Sequence, residues 1–405
     1  MRTRYGVSPW IHQFPDPRRP NLPRAKGEMD VDVVIVGGGL TGCLTAYACA
    51  VAGLEPIVVE AERVGTGAAG RSAGLLLPDP GPSFRDVSQA HGLRAARSVF
   101  QSWRRAALDG AALVRRLGIK CGLDPQDSVL VAGRDDEKAL RRELEARAAA
   151  GLDATWITRK PVQAALALDR PGAMKLRDAF GLDPYHACVG VAAKAVGRGA
   201  RIYERTPVRK VRVGRKLVEV TADGATIRAQ TVVVTTGIAT AVHGQLRRHF
   251  DTRETYLALT EVVPASVRRM LGSRGATIAD THSPRRRIRF TADDRILVAG
   301  ADQPRTADRQ REAVLVQRTG QLMYELLTMY PAISGLMPEY GWEMPYGETS
   351  DGLPYIGPHR NFPRHLFALG NGGDSITGAF LAARILVRHL QGSPEKTDAI
   401  FGWTR

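Results

Sequence analysis

Apolar runs and glycine-rich turns alternate at the beginning of the ordered chain. Residues 31–36 form a short run rich in β-branched side chains, which is typical of a strand buried in a parallel sheet. Glycines at 37–39 end this run, a helical stretch at about 40–51 follows, and a second apolar run at 57–59 ends on Glu60. The pattern predicts a strand–helix–strand unit of about 30 residues.

The spacing of apolar residues predicts further helices and short strands along the chain. The predicted helices are 86–118, 135–150, 184–198, 307–329 and 376–391. The predicted strands are 208–213, 217–221, 227–229, 231–236, 255–263, 286–300 and 366–369. Residues 345–358, rich in glycine and proline, are predicted to form a loop. These elements predict an α/β protein that also contains antiparallel strands.

Length and composition narrow the class of protein. The chain has 405 residues, enough for two or three domains, and its 44% hydrophobic and 24% charged content argues against global disorder. Residues 1–29, rich in proline and arginine, are predicted to form an irregular arm. No apolar run approaches the ~18 residues of a membrane helix, and no apolar segment follows the charged N-terminus. Because the four cysteines are widely spaced without a C-x-x-C motif, we expect a cytoplasmic protein without disulfides or zinc.

The chain is strongly basic, with a formal net charge of +16. Such a balance raises the possibility of a nucleic-acid partner, but only nine of the 57 basic residues are lysine, and the arginines are scattered. The densest basic run is short: residues 285–287 together with Arg289. A general arginine-rich surface is therefore favoured over a polyanion-binding face, and nucleic acid is disfavoured as a partner.

The glycine turn at 37–42 has the spacing of a dinucleotide-binding motif. Gly37 permits a tight turn, Gly39 lets the backbone approach a pyrophosphate, and Gly42 lets the helix pack closely on the strand. The helix N-terminus offers N–H groups and a positive dipole to phosphates, and Glu60 can accept hydrogen bonds from ribose hydroxyls. The motif predicts a dinucleotide site, which could take either FAD or NAD.

Two later segments favour FAD. A loop of small residues at 64–74, which carries Arg71, follows the second strand and is suited to enclosing a large ligand. A second glycine turn at 370–373 precedes the last helix, more than 300 residues after the first turn. A single NAD site does not need that second turn, whereas a helix N-terminus near the flavin ring can stabilise the negative charge of reduction.

These segments, in this order, resemble the FAD-dependent D-amino-acid-oxidase-like (DAO) superfamily, which includes glycine, sarcosine and γ-glutamylputrescine oxidases. The resemblance covers about residues 8–390. It implies a glutathione-reductase-type, Rossmann-like FAD-binding domain and an α+β substrate domain with an antiparallel sheet, both discontinuous. The expected boundaries are an arm at 1–29, an FAD-binding domain at 30–85, 160–250 and 343–405, and a substrate domain at 86–159 and 251–342.

The resemblance also implies which residues contact FAD. They are Gly37, Gly39, Leu40, Thr41, Gly42, Glu60, Ala61, Arg71, Ser72, Ala73, Val208, Thr236, Gly237, Gly372, Gly373, Asp374, Ser375, Ile376 and Thr377. Many relatives have Asn-Gly where this chain has Ser72-Ala73, and Asn-Gly or His-Gly where it has Asp374-Ser375. No cysteine follows Cys188, which excludes the late cysteinyl linkage of some relatives, so we expect non-covalent FAD.

The implied reaction is oxidation of a C–N bond in a small amine or amino acid. Hydride passes from carbon to flavin N5, the imine hydrolyses, and oxygen or another acceptor takes the electrons. Arg287 and Arg289 share one face of a predicted strand and could bind a substrate carboxylate, and Tyr256 and Tyr346 are further catalytic candidates.

Three alternatives to an oxidase remain open from the sequence. One is a dehydrogenase of the same fold that passes electrons to a quinone or a protein; Asp374 favours it, because an acidic residue there disfavours an anionic reduced flavin. A second is a flavoprotein that acts on modified tRNA, and a third is a flavoprotein that has lost turnover. Substrate identity, stereochemistry and oligomeric state are left open.

Overall fold

The computed structural model describes residues 2–133, 135–282, 285–373 and 375–405, with the side chain of Ser375 outside that description. The predicted FAD contacts of Asp374 and of the Ser375 side chain therefore lie outside the described residues. The strands in the described part are β1 (Arg4–Tyr5), β2 (Gly27–Val36), β3 (Pro56–Val59), β4 (Leu75–Leu76), β5 (Asp124–Val131), β6 (Thr155–Thr158), β7 (Gly172–Gly181), β8 (Arg201–Tyr203), β9 (Val208–Val213), β10 (Val218–Ala222), β11 (Ala225–Gly237), β12 (Asp251–Thr260), β13 (Ala276–Asp280), β14 (Arg287–Phe290), β15 (Ile296–Pro304), β16 (Pro338–Glu348), β17 (Tyr355–His359) and β18 (Phe362–Leu369).

Helices connect and cover these strands. The α-helices of the described part are α1 (Pro9–His12), α2 (Leu40–Val51), α3 (Ala68–Arg71), α4 (Phe84–His91), α5 (Leu93–Arg116), α6 (Glu137–Ala149), α7 (Arg159–Leu166), α8 (Pro184–Val196), α9 (Ala265–Arg268), α10 (Arg311–Met329) and α11 (Ser375–Leu390). Short 3-10 helices lie at Asp16–Arg18, Ala241–His249, Asp308–Gln310, Pro331–Ile333 and Lys396–Phe401. In the part of the chain that the structure describes, no helix is long and apolar enough to cross a membrane.

The smaller sheet carries the predicted strand–helix–strand unit. Its order is β17-β18-β11-β2-β3-β8, with β10 beside β11 and β9 beside β10. The pairs β18/β11, β11/β2, β2/β3 and β3/β8 are parallel. Because β2 and β3 have buried side chains on both faces, their near-continuous apolar runs are what a parallel sheet requires. Helix α2 packs beneath this sheet together with α8 and α11.

The larger sheet is mostly antiparallel. Its order is β1-β16-β12-β15-β14-β13-β5-β7-β4, with β6 beside β7. One face, which includes Tyr256 and Val298, packs on α10. The opposite face, which includes Leu257, Leu297 and Trp342, packs on the apolar residues of the loop at 68–77. The loop that follows the first strand–helix–strand unit thus packs between the larger sheet and the helices that cover the smaller one. The parallel first sheet and the antiparallel second sheet confirm the predicted α/β fold class.

The structure differs from the predicted elements where local pattern is ambiguous. The predicted helix at 86–118 is interrupted by Gly92, whose φ of +85° separates α4 from α5. Strand β16 extends to Glu348, into the predicted loop at 345–358, because it pairs with β12 along its whole length. Strands β5, β7 and β13 were not predicted. Strand β7 pairs with β5 in the larger sheet although it lies within 160–250, and the domain boundaries as a whole stay a prediction.

Candidate functional site

A cleft of about 660 Å³ opens at the carboxyl ends of the parallel strands β2, β3 and β11. This edge is where open α/β sheets bind their ligands. The cleft brings together most of the residues predicted to contact FAD. Those that line it are Gly37, Gly39, Leu40, Thr41, Glu60, Ala61, Arg71, Val208, Thr236, Gly237, Gly372 and Ile376.

The glycines of the first turn differ in what a side chain would meet. A Cβ on Gly42 would lie 1.9 Å from the carbonyl oxygen of Gly37, so this position has no room for any side chain. Gly37 has a φ of +110°, and its Cβ would lie 3.0 Å from the carbonyl oxygen of Thr235. Gly39, by contrast, meets nothing within 4 Å and borders the cleft. Gly37 and Gly42 are therefore required by the fold, whereas Gly39 leaves space for a ligand.

The beginning of α2 faces the same space. Gly39 is the N-cap residue, and within the described residues no side chain caps this helix. The first N–H groups of a helix have no intrahelical partner, and together with the helix dipole they favour an anion. The uncapped N-terminus of α2 therefore suits the pyrophosphate group of a dinucleotide.

Glu60 lies at the end of β3, on the wall of the cleft. Its carboxylate accepts hydrogen bonds from the backbone N–H of Gly38, at 2.6 Å, and of Glu62, at 2.9 Å. These two bonds fix the carboxylate beside the turn, where it could accept hydrogen bonds from ribose hydroxyls as the sequence predicts. Val208 lines the same end of the cleft.

The other predicted FAD residues in the described part of the chain do not line the cleft. Ser72 is buried and donates its hydroxyl hydrogen to the carbonyl of Ala69, at 3.1 Å. Thr377 is also buried and donates to the carbonyl of Leu77, at 2.8 Å, which ties the beginning of α11 to the loop at 68–77. Ala73, Gly42 and Gly373 likewise do not line the cleft, and any contact they make with FAD stays a prediction.

Of the four catalytic candidates, Tyr346 lines the cleft and the other three do not. Its ring lies about 3.8 Å from where a Cβ of Gly373 would be, beside the turn that precedes α11. Its hydroxyl donates a hydrogen bond of 2.7 Å to Oδ2 of Asp302. Burial, reinforced by the Asp302 carboxylate, raises the pKa of Tyr346 well above its ordinary value. The phenol therefore stays protonated at neutral pH.

Asp302 reaches Tyr346 because β15 is irregular at this point. Its pairing with β12 shifts register between Glu254 and Tyr256, where Ala301 adopts a left-handed φ of +55°. Bulges of this kind re-aim side chains and are common near active sites, and a non-glycine residue at positive φ costs free energy. The second carboxylate oxygen of Asp302, Oδ1, is buried and has no hydrogen-bond partner in the described part of the chain.

Arg289 faces the loop at 68–77 but not an open cavity. Its Nη1 donates to the carbonyls of Ala73, Gly74 and Leu182 at 2.9, 2.6 and 3.0 Å, and its guanidinium lies over the ring of Trp10. Burial lowers the pKa of Arg289 to about 10. The structure thus commits Arg289 to backbone carbonyls and does not bring it to the cleft.

Arg287 lies on the same face of β14 as Arg289 and lines a second cavity, of about 270 Å³, whose wall also includes Leu77. Arg85 and Arg285 also line this cavity. Arg147 also lines this cavity, with its guanidinium over the ring of Phe100 in α5, and is held by ion pairs of 2.6 Å to Asp79 and 2.7 Å to Glu143. Arg287 and Arg289 therefore lie on one face of β14, as predicted. Arg287 borders the second cavity, whereas Arg289 is bound to backbone carbonyls.

Tyr256 lies on the opposite face of the larger sheet, in the core that packs on α10. Its hydroxyl donates to Glu254, at 3.1 Å, and accepts from Gln303, at 2.9 Å. The structure does not bring Tyr256 to the cleft, because residues 256 and 257 of β12 alternate between faces and Leu257 takes the inner one.

Sequence reasoning did not single out Asp302, Glu343 or His243. Asp302 follows the bulge, and Glu343 is a buried carboxylate beside Arg71. His243 lines the cleft, and both of its ring nitrogens are buried without a partner among the described residues. None of these residues belongs to a motif, so only the three-dimensional arrangement reveals them.

Comparison with known proteins agrees with this geometry. The family model described as "DAO: FAD dependent oxidoreductase" matches residues 32–389. The γ-glutamylputrescine oxidoreductase of Escherichia coli K12 is 27% identical over 378 residues, which cover 91% of this chain and 85% of that protein. A glycine oxidase of Bacillus licheniformis is 25% identical, covering 91% and 95%. The crystal structure of glycine oxidase from Geobacillus kaustophilus superposes with a TM-score of 0.77 at 21% identity, covering 93% of this chain and 99% of that one.

Proposed function

Because this chain belongs to the DAO family of FAD-dependent oxidoreductases, matched over residues 32–389, we propose that it oxidises the C–N bond of a small amine or amino acid. Oxygen is the proposed electron acceptor, and a cytoplasmic location stays a prediction. The observation that carries the proposal is the position of Tyr346, in the wall of the dinucleotide cleft beside the turn that opens α11.

The residues of the cleft fit FAD. Gly39 leaves open space where the diphosphate would approach the backbone, and the uncapped beginning of α2 supplies N–H groups and positive dipole. Glu60 and Gly372 both line the cleft, and Glu60 would accept hydrogen bonds from the ribose hydroxyls. Both glycine turns border this one cleft, which favours FAD, because a nicotinamide dinucleotide does not need the second turn.

When bound, FAD supplies an acceptor for the hydride that leaves the carbon next to nitrogen. The role of this chain is to bind the amine in its neutral form and to orient it. Since Tyr346 gives its hydrogen to Asp302, the phenolic oxygen acts only as an acceptor; Arg253 is one donor to it, and a substrate N–H would be a second. We propose that Tyr346 accepts a hydrogen bond from the substrate nitrogen and that Asp302 keeps the hydroxyl in that orientation.

A substrate carboxylate that lies several bonds from the reacting nitrogen would be bound by Arg287 in this proposal, because Arg287 and Tyr346 line different cavities. Arg289 already donates to three carbonyls, so turning it toward a ligand would leave those acceptors unpaired. Arg287 lines the second cavity, whose wall includes Leu77 of the loop at 68–77, whereas Arg289 lines neither cavity. This placement supports Arg287 over Arg289 as the anion-binding residue.

Anaerobic reduction of the bound flavin by a panel of amines and amino acids tests the proposal. We expect the visible flavin absorbance to be lost with at least one amine and to return in air with release of peroxide. Return in air that is slower than turnover, but fast with a quinone, would favour a dehydrogenase of the same fold. Retention of full absorbance with every amine, in protein that holds FAD, would contradict the proposal.

A further inference from the structure

Arg71 is held by two consecutive residues of β16. The indole Nε1 of Trp342 donates a hydrogen bond of 2.7 Å to the carbonyl of Arg71. Oε1 of Glu343 lies 3.4 Å from Nη1 of the same arginine. Consecutive residues of a strand point to opposite faces, so both can reach Arg71 only where the strand forms an edge. Among the described residues, strand β1 pairs with Tyr340 and Gly341, and α3 packs against β16 beyond that point.

Glu343 is buried at a cost that calls for an explanation. Its side chain is only 2% exposed, and its Oε1 accepts hydrogen bonds from both Arg71 and Arg311. Its other oxygen, Oε2, is buried and has no partner in the described residues. A buried carboxylate is unfavourable unless it is paired, and a single pair with Arg311 would suffice for neutrality. The second cation, Arg71, is the one that lines the cleft.

We propose that Glu343 is a positioning residue for the cofactor, which holds the guanidinium of Arg71 at the wall of the FAD cleft. Trp342 fixes the backbone of Arg71 and Glu343 fixes its side chain, so β16 of the larger sheet sets the conformation of a loop that encloses the ligand of the smaller sheet. The inference concerns FAD binding and holds whichever amine is the substrate.

The sign of the effect separates positioning from simple electrostatics. The FAD diphosphate is negative, and removing the charge of Glu343 makes this end of the cleft more positive. If Glu343 acted through its charge alone, Glu343→Gln would tighten FAD binding. If Glu343 holds Arg71 in place, the same substitution frees a flexible side chain and weakens binding.

The test is the dissociation constant of FAD, measured by titration of apoprotein with FAD and followed by flavin fluorescence. We expect Arg71→Met to raise the Kd about tenfold and Glu343→Gln to raise it roughly three- to tenfold. Because Glu343 acts through Arg71, the double variant should bind FAD within about twofold of Arg71→Met alone.

Two further variants keep the test decisive. Glu339→Gln removes another ion-paired carboxylate of the same strand, one that contacts Arg4 and Arg295 and not the cleft, and should leave the Kd within about twofold of the wild type. Glu343→Asp keeps the charge but shortens the reach, so it should weaken FAD binding as Glu343→Gln does, and it can be measured if the Gln variant fails to fold. Unchanged or tighter binding in both Glu343 variants, or additive effects in the double variant, would overturn the inference.

Discussion

The hydroxyl of Tyr346 and the carboxylate of Asp302 are joined by a hydrogen bond of 2.7 Å between two strands of the larger sheet. The bond reaches from the wall of the cleft to the bulge in β15, where Ala301 adopts a φ of +55°. It determines that Tyr346 offers an acceptor and not a donor to the cleft. This property distinguishes an amine-binding tyrosine from one that would bind a carboxylate.

Removing the Tyr346 hydroxyl should impair catalysis without affecting the cofactor. In Tyr346→Phe, we expect kcat/KM for the best amine to fall by roughly tenfold to a hundredfold, because one hydrogen bond to the substrate nitrogen is lost. The Kd of FAD should stay within about twofold of the wild type. Steady-state kinetics and FAD titration check the two values, and an unchanged kcat/KM would remove Tyr346 from the site. Tyr256→Phe is the matched control, because Tyr256 lies in the core on the other face.

Two glycines of the first turn should respond differently to the same substitution. Gly42→Ala places a Cβ 1.9 Å from the carbonyl oxygen of Gly37 and should destabilise the apoprotein by several kcal/mol. In Gly39→Ala the new methyl group meets nothing within 4 Å, so the unfolding free energy of the apoprotein should stay within about 1 kcal/mol of the wild-type value. FAD binding should weaken at least tenfold, because the methyl group enters the cleft. Denaturant unfolding of apoprotein and FAD titration measure the two effects. Normal FAD affinity in Gly39→Ala would mean that the diphosphate does not approach this turn.

Arg289 should behave as a structural residue. Arg289→Met removes the donor to three carbonyls at the loop that lines the cleft, and we expect the free energy of unfolding to fall by about 2–4 kcal/mol. For a substrate with a carboxylate several bonds from the reacting nitrogen, KM should rise more in Arg287→Met than in Arg289→Met. A variant of Arg289 with wild-type stability and a KM raised a hundredfold would instead show that this arginine binds the substrate carboxylate.

His243 should make the protein less stable in acid. Burial, with a smaller effect of His365, lowers the pKa of His243 from 6.5 to about 4 in the folded protein. Between those two values the unfolded chain binds a proton that the folded chain does not, so the free energy of unfolding falls as the pH drops from about 6.5 to 4. His243→Phe, which suits neighbours such as Phe362 and Phe367, should reduce this loss by roughly 2 kcal/mol. Urea unfolding of the wild type and of His243→Phe at pH 7, 5.5 and 4 measures the difference in unfolding free energy. An equal pH dependence in both proteins would show that His243 does not cause the loss of stability in acid.

The features that local sequence determines were predicted correctly. The helix at Leu40–Val51 and the strands that flank it follow from an uninterrupted apolar pattern and from glycines whose spacing serves one turn. Twelve of the predicted FAD residues line one cleft for the same reason, since each motif ends a strand or begins a helix at the same edge of the sheet.

The positions of the predicted substrate-binding residues depend on how the strands of the larger sheet pair, which no local sequence pattern encodes. Whether Tyr256 or Leu257 faces inward is set by the register of β12 against β15 and β16, and a shift of one residue would exchange them. Asp302 reaches Tyr346 only because of the bulge, and Arg289 is directed to Ala73 by a loop more than 200 residues away in sequence. The arginines at 287 and 289 were correctly placed on one face, but their partners come from distant segments.

The most direct test of the proposed reaction is a single-turnover measurement with FAD-loaded protein and excess amine, without oxygen. If the chain oxidises a C–N bond on FAD, each equivalent of flavin reduced should yield one equivalent of carbonyl product and one of released amine or ammonia. Flavin that stays oxidised with every amine tried, or that is reduced without release of a nitrogen-containing product, would contradict the account.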